Sequence, residues 1–147
     1  MSKSDTVKQV LLRAELFCTH HKERLTKPRL EVLRIIASSE KSLGAYEILE
    51  ELSHTMKSPK PPTAYRAIEF WQKTGFIHRI ESQSSYVLCQ ADHLHQGGQF
   101  MVCESCGSII ETHVCKLPDT LKKKVDENGF IASSWHIEIH GVCQKCQ

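Results

Sequence analysis

Residues 63–89, TAYRAIEFWQKTGFIHRIESQSSYVLC, decide the fold. The first eleven, TAYRAIEFWQK, read as a helix that stops at Gly75, the residue type best able to leave a helix through left-handed backbone. FIHRIE and SYVLC follow as two short β-prone runs separated by SQS, the pattern of a hairpin. Upstream, residues 6–21 place Val7, Val10, Leu11, Ala14 and Phe17 on one helical face, with Lys8, Arg13 and Glu15 away from it. Thr26 caps a second helix, and Pro28 sits in its first turn, where a missing N–H costs nothing. Leu30, Leu33, Ile36 and Ala37 form the buried stripe of that helix. Gly44 opens a third, short helix with Ile48, Leu49 and Leu52 apolar, and the loop MKSPKPP leads into the fourth. Helices followed by a hairpin is the order of a winged helix-turn-helix, in which the helix before the hairpin enters the major groove of DNA. A small α+β domain with no DNA role has the same order.

Downstream the character changes. CQADHLHQGG, 89–98, reads as a linker rich in metal-ligand residues. QFMVC and SIIETHV read as strands flanking a cysteine pair, Leu117, Leu121 and Val125 mark an amphipathic helix ending near Gly129, and WHIEIHG is a last strand. Strand, helix and strand with an exposed edge suit a dimerisation unit. The expected class is α+β: a winged-helix DNA-binding domain over 1–89, a hinge over 90–98, and a small α/β dimerisation domain over 99–147. No internal repeat or low-complexity tract is evident.

At 147 residues the chain is long enough to bury a core, and no apolar run approaches the length that spans a bilayer. The N-terminus, MSKSDTVKQV, lacks the apolar centre of a signal peptide, so the expected compartment is the cytoplasm. There, seven cysteines point to metal or redox chemistry rather than to a disulfide framework. The net charge of +2 conceals an asymmetry. Residues 1–88 carry 14 Lys and Arg against 10 Asp and Glu, while residues 89–147 carry 5 against 7. A basic first half joined to a mildly acidic second half fits a nucleic-acid reader with a second module.

Cys103 and Cys106, with Cys143 and Cys146, form CxxC…CxxC. Two intervening residues let both sulfurs of a pair face one ion from a tight turn, and two such turns complete a tetrahedron, a closed and therefore structural zinc site. Gly107 suits the first turn, and Gly141 relieves crowding before the second. Closing the chain's end onto residue 103 makes a small second domain foldable. A second set, His78, Cys89, His95 and Glu111, lies around the linker. His78 and Cys89 sit on the two arms of the hairpin, which a fold-back brings together. One thiolate with imidazoles and a carboxylate favours zinc over hard, oxygen-seeking ions. His93 competes with His95 for the linker position. Taken singly, each of these residues is as well explained as a surface histidine, a buried cysteine or a solvated glutamate. His113, Cys115, His136 and His140 are a weaker third grouping, better explained by surface or core roles, Cys18 reads as a core thiol, and His20, His21 and His54 as solvated polar residues. On the fourth helix, Thr63, Tyr65 and Arg66 fall in the first turns, where helix N-termini meet base edges and phosphates. Arginine reaches guanine with two hydrogen bonds, and a tyrosine ring meets a thymine methyl. Tyr46, Lys60, Arg29 and Lys27 are candidates for backbone contacts, and Phe70 and Trp71 for the core.

These motifs together resemble the ferric uptake regulator superfamily of bacterial metal-responsive repressors, in its zinc uptake regulator branch. RLTKPRLEVLRII is similar to the family's second helix, KPPTAYRAIEF to its recognition helix, GFIHRIES with SYVLC to the wing of the zinc branch, and VCESCGSIIE with HGVCQKC to its two zinc knuckles. The resemblance implies a homodimeric repressor that binds palindromic AT-rich operators when loaded with zinc and shuts off zinc-uptake genes. It implies two zinc ions per subunit, with no small organic substrate and no membrane partner. By position it implies Cys103, Cys106, Cys143 and Cys146 as structural ligands, and His78, Cys89 and Glu111, joined by His95, as regulatory ones. It implies DNA contacts at Tyr46, Tyr65 and Arg66. The linker departs in length from the family pattern. The nearest rival inside the family is an iron- or peroxide-responsive repressor, against which Cys89 as a ligand weighs. Outside the family, the rivals are a thiol redox protein using a CxxC pair, which needs an exposed low-pKa thiol, and a zinc-held adaptor that binds protein alone.

Overall fold

The computed structural model describes residues 2–90, 97–112 and 116–147. Most of the expected hinge, 91–96, lies outside the described residues. The chain forms two compact units, Met1–Cys89 and Gln90–Gln147.

In the first unit, α1 spans Lys3–His20. It begins three residues before the periodic apolar pattern, because Ser2 and Asp5 form a reciprocal capping box that satisfies early N–H groups. Val10, Ala14 and Cys18 are its buried residues. α2 spans Lys27–Ser38, capped by Thr26, whose hydroxyl accepts the Arg29 N–H at 3.4 Å. Its buried face, Val32, Leu33, Ile35, Ile36 and Ala37, is wider than a single stripe, and Leu30 is only half-buried. The reason is position: α2 touches α1, α3 (Ala45–Ser53), α4 (Pro61–Lys73) and a hairpin strand, so it has little solvent side. Gly44 caps α3 and closes a short strand, β1, Leu43–Gly44.

α4 starts at Pro61, not at Thr63. The first helical N–H groups have no intrahelical acceptor, so Pro61 and Pro62 join the first turn without losing a bond. Ala64, Ala67, Ile68 and Trp71 form its inner face, and the Trp71 ring N–H donates to the Arg29 carbonyl at 2.7 Å. The helix ends in a Schellman motif. Phe76 N–H reaches Trp71 O at 3.0 Å and Gly75 N–H reaches Gln72 O at 3.2 Å, with Gly75 at φ +80° and the Trp71 and Phe76 rings 5.0 Å apart. This cap turns the chain directly into β2, Ile77–Ile80, which pairs antiparallel with β3, Ser85–Leu88, in a sheet ordered β1-β3-β2. Trp71 is therefore the joint between helix, wing and core. Trp71→Ala is expected to cost about 3–5 kcal/mol in urea unfolding.

In the second unit, β4 is Gly97–Cys103, β5 Ile109–Thr112, α5 Asp119–Glu127 and β6 Trp135–Gly141. The sheet order is β5-β4-β6, with β4 antiparallel to β5 and parallel to β6, so α5 lies in the crossover. β4 opens two residues before QFMVC because its glycines make room for rings. A Cβ on Gly97 would sit 2.1 Å from the Trp135 ring, and one on Gly98 would sit 2.5 Å from the Phe100 ring. One sheet face carries buried Phe100 and Val102, while Met101, Ile110 and Ile139 on the other are exposed. α5 buries no residue within this chain, and Leu121 is exposed.

Candidate metal centres and nucleic-acid interface

The two cysteine pairs hang from the ends of neighbouring strands. β4 ends at Cys103 and β6 at Gly141, which is opposite Cys103 in the parallel register. The first knuckle closes through Gly107 N–H to Cys103 O and Cys103 N–H to Ser108 O, both 2.9 Å, with Gly107 at φ +72°. The second closes through Cys146 N–H to Cys143 O at 2.9 Å. Glu104 N–H joins the two by donating to Gly141 O at 2.8 Å. All four sulfurs lie within 4.8 Å of one another. The Cys106–Cys143 separation is 3.8 Å, and a tetrahedron with zinc–sulfur bonds of about 2.3 Å has an edge of about 3.8 Å.

Charge is distributed unevenly over this cluster. The Cys143 backbone N–H, 3.3 Å from the Cys103 sulfur, is the main cause that brings the Cys103 thiol down to about 6, helped by the Cys106 N–H. Cys106 is lowered chiefly by the Ser108 hydroxyl. Cys146 is pushed up to about 12 by hydrogen bonding with Cys143 and then Cys106. Four sulfurs this close cannot all ionise alone, and a dication is what lets them do so together. The donor set fits a structural zinc ion.

The wing supplies a second pair. His78 on β2 faces Val87, and Cys89 N–H donates to Phe76 O at 2.9 Å, which carries the ladder one pair past Ile77 and Leu88. Strand alternation therefore puts His78 and Cys89 on the same face, and their ligand atoms lie within 4.8 Å. Cys89 is buried and His78 half-buried. Glu111 lies on β5, and its carboxylate accepts the N–H of Gln90, the residue after Cys89, at 2.8 Å. An imidazole and a thiolate suit zinc. His93, His95, His113 and Cys115 lie outside the described residues. Cys18 is a core thiol, its pKa raised mainly by burial.

On α4, the inner face leaves Tyr65 and Arg66 exposed and Thr63 half-buried. Tyr46, at the start of α3, is 83% exposed, and Tyr65 is 52% exposed. Together with Ala45, Leu49, Pro61 and Ala64 they line a shallow pocket of about 50 Å³. Two large exposed aromatic residues thus flank one apolar hollow. Leu49 and Pro61 were not legible as part of it, because they join it only when α3 and α4 cross. Arg29, a candidate for a backbone contact, is instead tied to the fold. Its guanidinium lies 3.6 Å over the Phe70 ring and donates to the Arg24 carbonyl at 2.6 Å.

A winged-helix unit joined to a small sheet with a four-sulfur centre defines a metal-centred protein of the winged-helix class. Known proteins place it more narrowly. The model of the ferric uptake regulator family matches residues 20–140. The zinc uptake regulation protein of Escherichia coli (strain K12) is 35% identical over 142 residues, covering 96% of this chain and 83% of that protein. The peroxide operon regulator of Bacillus subtilis (strain 168) is 25% identical over 126 residues, covering 84% of this chain and 83% of that protein. A solved structure of a zinc uptake regulator complexed with zinc and DNA superposes with a TM-score of 0.90 at 35% identity, covering 96% of this chain and 95% of that one. The chain belongs to the ferric uptake regulator family. Among the described residues, no helix is long and apolar enough to cross a membrane.

Proposed function

We propose that the chain is a cytoplasmic, zinc-responsive transcriptional repressor that binds palindromic, AT-rich operator DNA as a homodimer and represses genes of zinc uptake. The observation that carries this reading is the pairing of His78 with Cys89 on the wing, which sets soft metal ligands on the same unit as the exposed face of α4. The similarity to zinc uptake regulators along nearly the whole chain supports it. Cys89 also sets it apart from an iron- or peroxide-responsive member, for which nitrogen and oxygen donors are the expected set.

Met1–Cys89 is the DNA-reading unit and Gln90–Gln147 the dimerisation unit, with the exposed row Met101, Ile110 and Ile139 available to a second copy. Cys103, Cys106, Cys143 and Cys146 would hold the structural zinc, and His78, Cys89 and Glu111 the regulatory one, with His95 as fourth ligand. A regulatory ion, when bound, would supply coordination bonds that hold His78 and Cys89 of the wing in place. The chain does the rest: the wing moves with α4 because the Schellman cap at Gly75 couples them, so fixing His78 and Cys89 fixes the reading helix. Ligands convergent in one arrangement and parted in another favour the first by the difference in zinc affinity. A tenfold response needs about 1.4 kcal/mol, and a switch from 1:99 to 99:1 about 5.5 kcal/mol. The chain works by binding rather than catalysis: each CxxC pair shares one cluster with the other pair, unlike a free redox dithiol.

Tyr46, Thr63, Tyr65 and Arg66 form the DNA-contacting set. Arg66→Ala should lower operator affinity by about 1–3 kcal/mol, roughly 5- to 150-fold, while zinc content stays at the wild-type value. Titrating a labelled duplex at several salt concentrations tests this. Unchanged affinity would mean that α4 is not the reading helix.

A further inference from the structure

Thr63, Arg66 and Phe70 stand three and four positions apart on α4, which puts them on one stripe of the helix. Thr63 and Arg66 belong to the DNA-contacting set, so the reading stripe runs on to Phe70, about two turns from Thr63. The inner face beside it is Ala64, Ala67, Ile68 and Trp71. Its members nearest the reading end are the two alanines, which give the helix little side-chain relief there against a roll about its axis. At the foot of the stripe, the Arg29 guanidinium lies 3.6 Å from the centre of the Phe70 ring. It is held from behind, because its Nη1 donates to the Arg24 carbonyl at 2.6 Å and lies 3.7 Å from Glu23 Oε2. The backbone carbonyl of Arg29 accepts the Trp71 ring N–H at 2.7 Å. One residue of α2 therefore grips two consecutive residues of α4, the first through its side chain and the second through its main chain.

We propose that Arg29 is a positioning residue for sequence reading: its stack on Phe70 fixes the roll of α4 and so the aim of Thr63 and Arg66. The inference rests on α4 being the reading helix. A helix turns as one stiff unit, so a roll at Phe70 reaches Arg66 one turn away. A roll of about 10° moves a group about 6 Å from the helix axis by about 1 Å. That exceeds the spread of about 0.5 Å over which hydrogen bonds hold, so a two-bond contact with a base edge is lost. Attraction between a cation and a phosphate falls off gradually with distance and survives such a shift. The penalty therefore falls on specific binding and spares non-specific binding. Arginine suits the task because its planar head lies flat on a ring while its fork serves a carbonyl, and lysine has neither plane nor fork. The side chain is only 26% exposed, with Glu23 beside it, so its charge is engaged within the fold.

The test is titration of the full-length, zinc-saturated protein against an AT-rich palindromic duplex and a random duplex at several salt concentrations. Arg29→Met should bind the palindrome about tenfold more weakly, with its affinity for the random duplex and its salt slope unchanged. Arg29→Lys should lose as much, although it keeps the charge. Phe70→Leu should show the same loss, and the Arg29→Met/Phe70→Leu double variant should lose no more than either alone, because both break one contact. Thermal unfolding checks that each variant is folded at the assay temperature, and Arg29→Lys carries the comparison if the methionine variant is not. Rescue by lysine, or weakening on both duplexes with a salt slope smaller by about 0.9, would make Arg29 a phosphate contact. Unchanged affinity for the palindrome would leave it a contact of the fold alone. Each of these results overturns the proposal while the wild type still prefers the palindrome. A wild type without that preference overturns the functional reading, and this inference with it.

Discussion

Cys143→Ser is expected to unfold the second unit while leaving the helical first unit in place. Among the described residues, the second unit buries only Phe100, Val102 and Cys103 as apolar side chains, whereas the first buries all the others. A unit of fewer than about 60 residues with so small a core needs a staple. The staple is the four-sulfur cluster, which ties the ends of β4 and β6. Structural zinc sites contribute apparent binding energies of about 10–16 kcal/mol, comparable to or larger than the whole stability of a small domain. Removing one thiolate should therefore release the ion, abolish the sheet signal of Gln90–Gln147 and open that unit to protease, with a fragment close to Met1–Cys89 surviving. Limited proteolysis with zinc analysis reads both at once. A variant that keeps its zinc and its protease resistance would mean that this cluster is not the staple.

Cys89→Ser is expected to act in the opposite way, sparing the fold and removing the response. Cys89 is buried at the edge of the first unit, beyond the last β3 residue, and a hydroxyl there costs about 1–3 kcal/mol at most. The large core of Val32, Leu33, Ile36, Ile68 and Trp71 is untouched. The chemical loss is greater, because a hydroxyl does not replace a thiolate on zinc. Half-maximal operator binding should need at least about tenfold more free zinc, a loss of about 1.4 kcal/mol of coupling. DNA titrations at fixed zinc activity measure it, with thermal unfolding as control. An unchanged zinc response, or loss of the first unit's fold, would remove Cys89 from the regulatory set.

The features legible in the sequence were those fixed by short-range physics. Thr26 and Pro28 announce a helix start through unsatisfied N–H groups, and Gly75 announces an end through its positive φ. The CxxC spacing announces two sulfurs on one turn. SQS between two β-prone runs is short enough to force His78 and Cys89 together. What distance in sequence controls was less visible. The parallel pairing of β4 with β6 has no local signal, and it alone brings Cys103 level with Gly141. The stacking of Arg29 on Phe70, 41 positions away in the chain, likewise has no local signal. Pro61 and Pro62 looked like loop because proline usually breaks helices, although in a first turn it does not.

The central claim is that zinc, through the wing, governs DNA binding. The direct measurement is fluorescence anisotropy of an AT-rich palindromic duplex against the full chain, with the structural zinc kept bound, across buffered free zinc and in parallel across iron(II), and with a random-sequence duplex at the same salt. Affinity for the palindrome should climb with zinc at concentrations where iron(II) has no effect, while the random duplex stays weak. Iron(II) raising affinity as well as zinc does, or neither metal changing it for a duplex that is bound specifically, would contradict the claim.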